Sequence, residues 1–127
     1  MNNFIKLYLL SSLSLSFINA DTTKFGLGSC LDQDYPQPIW KAIEKEDLDY
    51  FVFLGDNVYG DLPSGSLRKM VSAYKKQKNN FPEWMKNLEI LPIWDDHDYG
   101  LNDAGSEYPL KRQSQEIYLN FWGIPLD

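Results

Sequence analysis

Five side chains carry most of the chemistry this sequence could do: Cys30, Asp56, Tyr59, Asp96 and His97. A thiolate, two carboxylates, a phenolate and an imidazole are donor types that hold metal ions. Their settings repeat along the chain. Gly28-Ser29-Cys30 ends one apolar stretch, Gly55-Asp56-Asn57-Val58-Tyr59 ends a second, and Trp94-Asp95-Asp96-His97-Asp98 ends a third. Two residues separate Asp56 from Tyr59, so in a tight turn both can point at one ion. The stretch 91–103 holds the only histidine and four of the eighteen carboxylates, with no Lys or Arg between Lys86 and Lys111. Like charges packed so closely raise one another's pKa values unless a cation lies among them. Metal ions are the candidates for that cation.

The elements that must position these groups follow from the same stretches. Lys24 to Cys30 reads as a short strand running into a glycine-containing turn, with Ser29 and Cys30 at its C-terminal end. Asp49 to Leu54 is the clearest strand, and its nearly continuous apolar run predicts burial on both faces of a parallel or mixed sheet. Glu89 to Trp94 is a third strand, in which Pro92 cannot donate to a ladder and argues against a central position. Between them, Pro38 suits the start of a helix with Ile39, Trp40 and Ile43 on its apolar side. A second helix opens at Ser64 or Ser66, with Leu67, Met70, Val71 and Tyr74 at i, i+3, i+4 and i+7 as a buried stripe. Lys75, Lys76 and Lys78 fall in its last turn, where cations complement the helix dipole. Pro82 to Leu88 is a shorter helix carrying Trp84, Met85 and Leu88. Residues 95–103 read as an acidic loop, and Lys111 to Trp122 as a helix with Ile117, Tyr118, Phe121 and Trp122 on one side. The predicted order is βαβααβα, and connections of this length suit parallel strands. In such a sheet binding groups gather at the carboxyl ends of the strands, which is where all five candidates lie.

Residues 1–20 read as a secretory signal peptide, with Lys6 in a short leading region, an apolar and serine-rich stretch from Leu7 to Phe17, and Ile18-Asn19-Ala20 before a polar run. Removing it leaves 11 basic and 18 acidic side chains, a net charge of −7 over residues 21–127. That surface argues against nucleic-acid binding, which rests on cationic groups releasing counterions, but not against a phosphate substrate, because bound ions can supply local positive charge. The expected location is secreted or periplasmic, with no transmembrane segment after cleavage. One cysteine excludes an intramolecular disulfide. Leu27-Gly28-Ser29-Cys30 resembles a lipoprotein box, yet Asp21 and Lys24 separate it from the apolar stretch, which disfavours lipid anchoring at Cys30.

Gly28-Ser29-Cys30, Gly55-Asp56-Asn57-Val58-Tyr59, and Trp94-Asp95-Asp96-His97-Asp98-Tyr99-Gly100 with Asn102-Asp103 together resemble the PhoD-like (alkaline phosphatase D) branch of the calcineurin-like metallophosphoesterases. The resemblance spans residues 24–122. It implies an α/β fold, part of a metallophosphoesterase sandwich with a mostly parallel sheet and flanking helices, and a metal-dependent phosphate-ester hydrolase. It implies that Asp56 bridges two metal ions, that Cys30 and Tyr59 ligate a ferric ion, that Asp96 binds calcium, and that His97 is the catalytic histidine. The family draws further histidine ligands from loops far downstream, whereas this chain has no second histidine. Residues 21–127 are therefore expected to be either the N-terminal portion of a longer enzyme or a truncated product inactive alone. The alternative from a different class is a non-catalytic secreted calcium-binding module in which Asp95, Asp96, Asp98 and Asp103 hold the ion and His97 is incidental.

Overall fold

A computed structural model describes residues 22–126; the expected signal peptide lies outside the described residues. Three strands, β1 (Phe25–Gly28), β2 (Tyr50–Leu54) and β3 (Glu89–Ile93), form a wholly parallel sheet in the order β1-β2-β3. Phe25 pairs with Tyr50 and Gly28 with Phe53, while Tyr50 pairs with Glu89 and Leu54 with Ile93. β3 is an edge of this sheet, which is where a strand containing Pro92 belongs. The connections carry α1 (Trp40–Ile43), prolonged by a 3₁₀ turn at Glu44–Glu46, and α2 (Met70–Asn80), entered through a 3₁₀ turn at Leu67–Lys69. After β3 come a one-turn helix, α3 (Asp96–Tyr99), and α4 (Lys111–Trp122). Together they make a small α/β domain.

Right-handed crossovers that step the same way across a sheet put their helices on one face. Phe51, Phe53 and Ile90 point to that face, and Gly26 and Gly28 complete it. A Cβ at Gly26 would lie 2.5 Å from the Phe51 ring, so glycine is what lets β1 sit beside that aromatic side chain. Trp40, Phe51, Phe53 and Met85 form one buried cluster, with Phe81, Trp84, Leu88 and Trp122 against it. Phe53 meets Trp122 at 5.0 Å between ring centroids, and Trp40 meets Phe51 edge-on at 5.7 Å. A second cluster, Val58, Met70, Ala73, Tyr74 and Tyr118, joins the loop after β2 to α2 and α4.

Three expectations change. β2 is not buried on both faces: the alternate residues Phe25, Leu27, Leu54, Leu91 and Ile93 stand exposed on the other side of the sheet. The stripe of α2 is Met70, Ala73, Tyr74 and Gln77, while Val71 is 62% exposed. Gln77 turns inward because its amide exchanges hydrogen bonds with that of Gln37, at 2.8 and 3.1 Å. The segment after Pro82 forms a 3₁₀ helix, Glu83–Asn87, and Met85 is its buried residue. No helix among the described residues is long and apolar enough to cross a membrane.

Candidate metal centre

Parallel strands in adjacent order deliver their carboxyl ends to one edge, and the backbone holds them together beyond the last strand pairs. Cys30 N–H donates to Gly55 O at 3.2 Å and Leu31 N–H to Asp56 O at 2.8 Å. Buried Gln33 then grips Tyr59 with its side-chain amide, accepting from Tyr59 N–H at 2.8 Å and donating to Tyr59 O at 3.2 Å. Gly55 has φ +106°, and a Cβ there would lie 2.5 Å from Asp95 Cβ, so glycine permits the loops after β2 and β3 to touch. Cys30 (φ 59°), Asp56 (φ 50°) and Asp103 (φ 57°) all adopt the left-handed conformation. Such strain in non-glycine residues costs about 1–3 kcal/mol each and persists only where the surroundings hold it.

All five residues singled out from the sequence meet here. Tyr59 OH donates to Asp56 Oδ2 at 3.0 Å, and the Cys30 thiol lies 3.6 Å from the same oxygen. One donor atom from each of Asp56, Asp96 and His97 falls within 4.8 Å of the others. The second oxygen of Asp56 is buried without a hydrogen-bond partner among the described residues. A buried carboxylate oxygen left unpaired is costly, and a cation satisfies it. Thiol and phenol on Asp56 Oδ2, with the Asp96 carboxylate and the His97 imidazole close by, fit a metal ion in donor chemistry. Burial, with Cys30 and Asp56 beside it, pushes the Tyr59 phenol well above its ordinary pKa. Tyr59 and Cys30 thus both approach Asp56 Oδ2.

His97 has a partner the sequence reading did not identify. Its Nδ1 lies 2.8 Å from Asp61 Oδ1, both side chains being mostly buried, and its ring tilts against Tyr59 at 4.4 Å. Partial burial works against the imidazolium, but the carboxylates of Asp61, Asp56 and Asp96 hold the histidine above its ordinary pKa. With Nδ1 engaged, Nε2 is the ring nitrogen left for chemistry. Thirty-six residues separate the pair, and no local pattern marks it. Asp96 accepts from Asp103 N–H at 2.6 Å and from His97 N–H at 3.0 Å; the first of these, foremost, holds it below the usual carboxylate range.

The acidic stretch is not an open loop. Asp95 caps α3, with Asp95 and Asp98 forming a reciprocal capping box. Asp98 is fully buried and accepts from Asn57 N–H, Asn57 Nδ2, Tyr74 OH and Asp95 N–H at 2.8–3.2 Å. Burial pushes its carboxyl up to about 6 against the pull of those donors. Asp98 is therefore fully engaged by protein donors, which withdraws it from the four-carboxylate calcium set of the alternative reading, while exposed Asp95 caps α3.

Fold and cluster define a class: a parallel α/β domain with an acidic, histidine-bearing centre at the carboxyl edge of its sheet. Compared with protein-family models, curated proteins and solved structures, the chain matches none.

Proposed function

We propose that the chain carries part of a two-metal centre for phosphate-ester hydrolysis of the PhoD-like type. The observation that supports this most is the buried oxygen of Asp56, without a hydrogen-bond partner among the described residues, at the meeting point of three strand ends. In this reading Cys30, Tyr59 and Asp56 would hold the ferric ion, and Asp56 with Asp96 would hold calcium, for which hard oxygen donors suit. When bound, the ions supply a more acidic water and neutralise charge on the phosphoryl oxygens. His97, protonated on both ring nitrogens, would donate from Nε2 to the departing alkoxide while its Nδ1–H donates to Asp61, which holds the ring in place. Tyr59, packed on the imidazole, limits the ring's rotation. The net acidity of the chain agrees with a phosphate substrate bound through metal rather than through side-chain cations.

Loading the chain with ferric iron is expected to produce a visible tyrosinate-to-iron absorption band that Tyr59→Phe abolishes, and hydrolysis of a generic phosphate ester at alkaline pH is expected to require iron and calcium together. Hydrolysis that proceeds unchanged in chelator would sink the mechanism. An iron-loaded chain with no such band would remove Tyr59 from the ligand set.

A further inference from the structure

We propose that Asp98 is the positioning residue of the metal centre, setting the distance between Asp56 and Asp96 by tying together the loops that carry them; the inference rests on the metal-dependent reading above. Asn57 directly follows Asp56, and its backbone N–H is shared between both oxygens of Asp98, at 3.1 and 3.0 Å. Its side-chain amide donates to Asp98 Oδ2 at 2.9 Å and also to Ile93 O at 2.9 Å, at the end of β3. Asp95 N–H, on the residue just before Asp96, donates to Asp98 Oδ2 at 3.2 Å. One buried carboxylate therefore fixes the Asp56–Asn57 peptide and the Trp94–Asp95 peptide, which flank the two candidate ligands. This is also what holds Asp56 in its left-handed conformation, since its C-terminal amide has no freedom to swing away.

Asp98 cannot act as a ligand itself. It is fully buried, and both its oxygens are occupied by donors. Its fifth hydrogen bond separates positioning from mere stability. Tyr74 OH donates to Asp98 Oδ1 at 2.8 Å from α2, an element that contributes no residue to the centre. Removing that hydroxyl weakens the packing around Asp98 yet leaves every tie between the two loops. Removing the acceptor character of Asp98 breaks the ties themselves. Partners behind a metal ligand usually cost 10–100-fold in affinity when removed.

The test is calcium affinity of the full chain by titration calorimetry, with folding followed by near-ultraviolet circular dichroism. Asp98→Ala, which removes both acceptor oxygens, is expected to bind calcium about 10–100-fold more weakly while folded, and Tyr74→Phe to keep wild-type affinity despite a lower melting temperature. A folded Asp98→Ala chain with unchanged affinity overturns the proposal. So does a Tyr74→Phe chain that loses as much as Asp98→Ala, because the effect is then general loosening. If Asp98→Ala does not fold, Asn57→Ala decides: it removes the side-chain tie and keeps the backbone one, so weaker binding supports the proposal and unchanged binding overturns it. A wild-type chain that binds no calcium overturns the metal reading and this inference with it, an outcome visible before any variant is made.

Discussion

The two faces of the sheet are built from the same kind of residue and meet opposite fates. On one side Phe51, Phe53 and Ile90 lie under Trp40, Phe81, Met85 and Trp122. On the other, Phe25, Leu27, Leu54, Leu91 and Ile93 face outward with no element of the described residues across them; Leu27 is 65% exposed. Right-handed crossovers explain the asymmetry, because a sheet built in the order β1-β2-β3 receives all its connecting helices on one side. The difference teaches where stability resides. Apolar character alone contributes nothing until something excludes water from it, at roughly 25 cal/mol per Å² buried.

The sharpest way to break the comparison is to remove the same kind of side chain from each face. Phe53 is almost wholly buried and touches the rings of Trp40, Phe51, Phe81 and Trp122. Phe53→Ala is expected to cost about 3–5 kcal/mol, the range for truncating a core aromatic residue, measured by urea unfolding. A loss below about 1 kcal/mol would mean that the covered face is not the core.

The covered face is also where sequence reading went furthest and where it failed for physical reasons. Strand positions, their parallel direction and the convergence of Asp56, Asp96 and His97, with Cys30 and Tyr59 against Asp56, were legible, because apolar runs ending in polar groups mark strands that feed one sheet edge. Asp95 and Asp98 also carried a capping signal in the spacing D-x-x-D, hidden by the density of acids around it. The orientation of α2 was not legible. Val71 and Ala73 both fit a helical stripe with Met70 and Tyr74, and the choice is made by Gln77 reaching Gln37 forty residues away. Asp61 beside His97, and Asn57 with Tyr74 around Asp98, are likewise tertiary pairings between distant segments. Nor does a two-sided apolar strand announce that only one side will be covered.

That amide pair gives the intermediate effect. Gln77 is fully buried, and Gln37 in turn accepts from Trp40 Nε1 at 2.8 Å, so the pair ties α2 to α1 at the margin of the covered face. Gln77→Ala is expected to cost about 1–3 kcal/mol, the penalty of leaving a buried amide short of a partner. Thermal melting alongside Val71→Ala checks it, since the exposed neighbour on the same helix should melt within a degree or two of wild type, equivalent to about 0.5 kcal/mol or less. Equal losses at the two positions would contradict the orientation of α2.

The smallest effect on stability is expected on the bare face, and there the informative quantity is association. Leu91 sits on edge strand β3, opposite Val52, and is 41% exposed. Leu91→Lys removes little buried surface, so unfolding should shift by no more than about 0.5 kcal/mol. The same change interrupts an apolar patch running across all three strands and places a lysine on a sheet edge, both of which oppose sticking between copies. Light scattering across a concentration series should therefore show less self-association than wild type, with the melting temperature nearly unchanged. A large drop in melting temperature would show instead that Leu91 is covered in solution, and the contrast between the two faces would then be one of partner rather than of burial.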